Sequence, residues 1–187
     1  MGSLNRAPLF VLPAPPALAE EDRILAMLAG WAAGLAGLPA VPEWPSMYPK
    51  GWLQGQPPRD TRPHVLYMVE SRPDEDDQEE AFYRNAMDNA GRIQRRFDAY
   101  SADLVICCGE WAGNAFPDLI EPFRGHGENR VTSRGIPYVT ARGRICLLFP
   151  MPDAPVPGNI LFYALLDATR EALARNAGHA SGCQRPP

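Results

Sequence analysis

Lysine is almost missing from this chain: of 18 basic residues only Lys50 is a lysine, and the others are arginine. A GC-rich coding sequence produces that skew, so it is not read as a binding strategy. Histidine is nearly as scarce, with His64, His126 and His179 in loop or tail segments. No Gly-x-Ser-x-Gly occurs, which leaves a nucleophilic triad without a framework. No apolar run approaches the ~20 residues that a membrane span requires. The four cysteines, Cys107, Cys108, Cys146 and Cys183, form neither a disulfide framework nor a zinc spacing. Adjacent strand residues point to opposite faces, so Cys107 and Cys108 cannot grip one metal and are expected to be small core residues. A net charge of −4 and a pI near 5.4 exclude a general footprint for phosphate backbones. Any nucleic-acid contact would have to be local.

What is present is enough apolar material for one domain, 187 residues of which 45% are hydrophobic. The domain is expected to span residues 9–178, with 1–8 a flexible arm and 179–187 a disordered tail. Near the N-terminus Pro8, Pro13, Pro15 and Pro16 leave only Leu9 to Leu12 as a continuous apolar stretch, too short for a signal peptide. A first strand is expected there, in a soluble, cytoplasmic protein. Glu20, Glu21 and Asp22 then lead a helix carrying Ile24, Met27, Leu28, Trp31 and Leu35 at helical spacing, weakened by Gly30 and Gly34. Residues 42–64 hold six prolines among Trp44, Tyr48 and Trp52, a composition that forbids a helix or an interior strand. A long loop of this kind either closes over a ligand, with Trp52 as a contact, or pins itself to the core.

Two apolar runs end in carboxylates: Val65 to Glu70 and Leu104 through Cys108 and Gly109 to Glu110. Each reads as a buried strand leading into a polar loop, where α/β folds build ligand sites. Between them one helix is expected, with Phe82, Ala86, Ala90, Ile93, Phe97 and Tyr100 on its apolar face and the pairs Glu80/Arg84 and Asp88/Arg92 outside. Downstream, Gly109 to Ala115 reads as a turn and Ala115 to Phe123 as a short helix. Tyr138 to Thr140 and Ile145 to Phe149 form a hairpin or two edge strands, and a last helix capped by Asn159 stops near Gly178.

If their strands are neighbours, Glu70 and Glu110 could share acid and base roles or hold a divalent cation. Gly109 and Asn114 could present backbone and amide groups to an anion or a carbonyl. Arg124 and Arg134 belong to a local excess of three positive charges between residues 121 and 150, where five arginines face Glu121 and Glu128. The run Asp74 to Asp77 with Glu79 and Glu80 lacks EF-hand spacing and is read as acids complementing a helix dipole.

From Ala102 onward the order of features resembles the C-terminal half of the uracil-DNA glycosylase superfamily: Asp103 to Gly109, Ala112, Arg124-Gly125, then Gly135-Ile136-Pro137-Tyr138-Val139 before a last strand. In that family a His-Pro motif follows the last strand and an acidic or amide-bearing motif near the first activates water. This chain has Phe149-Pro150 at the one place and no such polar group in Leu9 to Pro16 at the other. The resemblance implies a three-layer sheet more than it implies base excision.

The expectation is therefore a single α/β domain with a mainly parallel sheet of four or five strands and helices on both faces. Its expected activity is enzymatic, a hydrolase or transferase for a small, nucleotide-like ligand at the carboxyl edge of the sheet. Glu70 and Glu110 would be catalytic, and Gly109, Asn114, Trp52, Arg124 and Arg134 ligand-binding. The competing expectation is a binding protein whose 42–64 loop recognises a protein partner.

Overall fold

Short, almost wholly apolar stretches form strands buried on both faces, and the centre of the sheet is built from three such stretches. These are β1 (Leu9–Leu12), β3 (Leu104–Cys108) and β6 (Arg144–Phe149), joined by β2 (His64–Tyr67), β4 (Glu128–Val131) and β5 (Pro137–Ala141). The computed structural model describes residues 7–36, 63–71 and 78–181. Lys50 and Trp52, the rest of the 42–62 stretch, Asp74 to Asp77 and Cys183 lie outside the described residues.

The strand order is β2-β1-β3-β6-β5-β4. β2, β1, β3 and β6 run parallel, while β5 is antiparallel to both β6 and β4. The sheet thus has six strands, and the added one is β4. Its sequence, Glu-Asn-Arg-Val, has no apolar alternation because it is an edge strand exposed over most of its length. The predicted hairpin forms around Arg142 and Gly143, both at positive φ. Only its β5 arm lies toward an edge, because β6 pairs with β3 in the interior of the sheet. His64, read as loop, opens β2 and stacks on Tyr100 at 4.8 Å.

Side chains alternate across the strands and divide the interior into two cores. Leu9, Val11, Val105, Cys107 and Cys146 face α2 (Gln78–Asp88), α3 (Ala90–Tyr100) and α4 (Glu110–Leu119). Phe10, Leu12, Ile106, Cys108, Leu147 and Phe149 face α1 (Leu18–Leu35) and α5 (Gly158–Ser181). Cys107 and Cys108 therefore point to opposite faces, and with Cys146 they are buried free thiols. Each fully buried aromatic in these cores contributes about 1.5–3 kcal/mol. Gly34 keeps α1 against α5, since a Cβ there would stand 2.5 Å from the Phe162 ring.

The single helix expected over 82–100 is two. Asn89 donates its side-chain amide to the Asn85 carbonyl at 2.7 Å and breaks the run between α2 and α3, with Gly91 beyond it. The break lies between Asp88 and Arg92, and Arg92 pairs with Glu70 rather than with Asp88. The Glu80–Arg84 pair forms at 2.7 Å. Helix α4 starts directly after Gly109, earlier than the sequence suggested, and holds Pro117 within it. Asn159 does bond the start of α5, accepting from the Ile160 N–H at 2.9 Å, and α5 continues past Gly178. No described helix is long and apolar enough to cross a membrane.

Candidate functional site

The connection β1 to β2 passes over one face through α1, and the connection β2 to β3 passes over the other through α2 and α3. The helices change sides at β1, which makes the gap between β1 and β3 the switch point where open α/β sheets hold ligands. The hydrogen bonding opens that gap. The β1/β2 ladder continues beyond the strands, from Met68 N–H to Leu12 O and from Val69 N–H to Pro13 O, both at 3.0 Å. The β3/β6 ladder likewise extends to Gly109 N–H on Phe149 O at 2.8 Å. Between these two zipped pairs, β1 and β3 are in register only from Leu9–Val11 to Val105–Cys107.

A cavity of about 230 Å³ occupies this crevice. Pro13 and Ala14 from the β1 loop form one wall, Met151 and Asp153 from the β6 loop another, and Gln78, Phe82 and Trp111 from the starts of α2 and α4 the third. Phe82 and Trp111 touch with ring centroids 5.4 Å apart and an interplanar angle of 33°. Gly109 lies beneath, at φ +86°. A Cβ there would come 3.1 Å from Met151 Cγ and 3.7 Å from Pro13 Cγ, so the absent side chain lets the two walls approach.

Asp153 is the one ionisable residue in this lining. Among the described residues no arginine is paired with it. Burial pushes the Cys108 thiol well above the usual cysteine range, and the negative charge of Asp153 adds to the effect. Burial also raises the Tyr67 hydroxyl at the end of β2, with the Glu21 charge contributing second. Cys107 and Cys146, their sulfurs 3.5 Å apart, lie deeper in the sheet. Burial first, and then their contact, holds the Cys107 thiol up and makes it a poor nucleophile.

The residues singled out from the sequence are only partly brought together. Glu70 and Glu110 both stand at the carboxyl edge, but neither lines the cavity. Glu70 is 76% exposed and bonds the Arg92 guanidinium at 3.1 Å, while another Arg92 nitrogen reaches Met68 O at 3.5 Å. Glu110 is the exposed first residue of α4, one position before Trp111. Gly109 lies behind the lining, against Met151 and Pro13, and Asn114 is exposed one turn along α4. Arg134 turns to Asp167 on α5 at 2.8 Å. Arg124 follows the far end of α4, just before β4, whose Glu128 is level with the beginning of β6; it is at the opposite edge of the sheet. Trp52 lies outside the described residues.

Asp153 escaped the sequence reading, although its context repeats the Glu70 and Glu110 pattern. It is the only acid between Arg144 and Leu166, and it follows the apolar run 145–149 after a short proline-rich gap. Among the described residues no three His, Cys, Asp or Glu side chains converge to hold a metal ion. No protein-family model matches the chain, and no curated protein matches it.

Proposed function

We propose that this protein is an enzyme, of the hydrolase or transferase kind, acting on a small ring-bearing polar ligand seated in the cavity between β1 and β3. The observation that carries the reading is the placement of that cavity at the point where the helices change sides of a parallel sheet. Its size supports a single ring or a compact pair of rings, because an apolar cavity of ~150 Å³ already holds benzene. A nucleobase or nucleoside is the nucleotide-like ligand of that size. Asp153 is the group to accept a proton or a hydrogen bond from it or from an attacking water, Gln78 offers a second polar contact, and Phe82 and Trp111 give the ring a surface. Of the two sequence-proposed carboxylates, Glu110 adjoins Trp111 of this lining along the chain, whereas Glu70 is engaged by Arg92.

A thermal-shift screen of nucleobases, nucleosides, nucleotides and divalent cations tests the reading, with Asp153→Asn, Trp111→Ala, Glu110→Gln and Glu70→Gln measured beside the wild type. A ligand that stabilises the wild type and Glu70→Gln but neither Asp153→Asn nor Trp111→Ala is expected. Stabilisation that survives both cavity substitutions would sink the reading.

A second reading, a divergent uracil-DNA glycosylase-like protein, is favoured by one observation. The loops after the first and last parallel strands, which carry polar motifs in that superfamily, are two of the elements that line the cavity here. The β1 loop supplies no polar side chain and the β6 loop supplies Asp153. Release of uracil from a single-stranded oligonucleotide, lost in Asp153→Asn, would support this reading, and an intact oligonucleotide would remove it.

A further inference from the structure

Among the described residues the cavity's only ionisable wall is a carboxylate, and the remainder is aromatic rings, a thioether, an amide and aliphatic surface. Three arginines at this end of the fold are each taken by an acid: Arg23 by Glu20, Arg84 by Glu80 and Arg92 by Glu70. Glu21, Glu79 and Glu110 sit in the first turns of the helices that begin at the same edge and add negative charge around the crevice. We infer that the cavity selects a small planar organic cation, of the amidinium, guanidinium or N-alkylated heterocycle class, with Asp153 as its counter-ion and the partly buried Trp111 indole packed against it.

The inference rests on the proposed role of this cavity as the ligand site. Within that role the sign of the ligand's charge follows from what each alternative would cost. A neutral ring replaces the water that the Asp153 carboxylate loses only with uncharged donors, which bind a carboxylate more weakly than cationic ones do. An anion would meet Asp153 with no described basic residue in the lining to offset the repulsion. A planar cation replaces that water with charge-assisted hydrogen bonds, two in parallel when the donor is an amidinium or guanidinium. The same cation gains from the negative face of the Trp111 indole.

Benzamidine, benzamide and benzoate are near-isosteric probes that are cationic, neutral and anionic at pH 7, and titration calorimetry of each into the full chain tests the inference without a mutation. Benzamidinium is expected to bind at least about tenfold more tightly than benzamide, with benzoate weakest. In Asp153→Asn, the preference for benzamidinium over benzamide is expected to disappear. Equal or tighter binding of benzamide or benzoate would overturn the cation inference and leave the cavity as a ligand site. A tenfold preference that persists in Asp153→Asn would overturn the assignment of Asp153. If none of the three binds, the inference falls, and a silent ligand screen beside it would remove the proposed site as well.

Discussion

At the carboxyl edge of the parallel strands the chain gathers Asp153, Glu70, Glu110 and Glu21 around an open crevice. At the amino edge it places Arg124, Arg142 and Arg144, the last of them over closely packed aromatics. There Phe97 meets Phe116 at 5.7 Å and Phe123 at 6.2 Å, and the Arg144 guanidinium lies 4.9 Å from the Phe97 ring centre. Both ends use aromatic rings. At the amino edge they are fully buried against one another, which stabilises the fold. At the carboxyl edge Phe82 is buried as well, but its neighbour Trp111 is only partly buried and lines a cavity. One sheet thus has packed aromatics at one end and, at the other, the cavity proposed as a ligand site.

The sharpest way to break this comparison is to damage one end and watch the other. Phe97→Ala is expected to cost about 3–5 kcal/mol of stability in denaturant unfolding, by opening a void among three rings. Its ligand affinity, measured well below the melting temperature, should stay that of the wild type. Gly109→Ala is expected to do both. Its backbone at φ +86° and the close Met151 side chain should cost roughly 1–3 kcal/mol, and the added methyl group should abolish ligand-induced stabilisation. Glu70→Gln removes only an exposed ion-pair partner, so about 0–1 kcal/mol is expected.

The smallest effect concerns the β4–β5 turn. The Glu171 carboxylate on α5 accepts from the Ser133 hydroxyl at 2.7 Å and from its backbone N–H at 2.8 Å. The Ser133 hydroxyl first, and with it the Ser133 N–H and Arg175, holds the Glu171 carboxyl below the usual glutamate value. A depressed folded value means that the contribution is present above the ordinary glutamate pKa, about 4.3. It is lost as pH falls through the lower folded value. Glu171→Gln should therefore flatten the acid limb of the stability curve below about pH 4 and leave the neutral limb nearly parallel. An unchanged acid limb would show that this tether adds nothing.

The parallel part of the fold was legible because β1 and β3 are apolar runs buried on both faces, whereas β2, though most of it is apolar too, is an edge strand with only Leu66 fully buried. Edge strand β4 was not, since its residues are polar and its pairing depends on β5. The α2/α3 break was hidden by an apolar periodicity that runs straight through Asn89. For the site, the sequence marked the right edge through Glu70, Glu110 and Gly109 but could not say that β6 would lie parallel beside β3. That placement brings Met151 and Asp153 over Gly109, and it depends on long-range pairing that no local pattern carries. Arg124 and Arg134 formed an apparent cluster along the chain, which the fold divides between opposite ends of the sheet.

The most direct test of a ligand site between β1 and β3 is an amide and indole NMR titration of the isotope-labelled protein with nucleosides and with benzamidine. The account predicts shifts confined to Ala14, Gln78, Phe82, Trp111, Met151 and Asp153, with the amides near Arg124 and Arg142 unmoved. Shifts centred on the amino edge or on the β4–β5 turn, with the crevice silent, would contradict it.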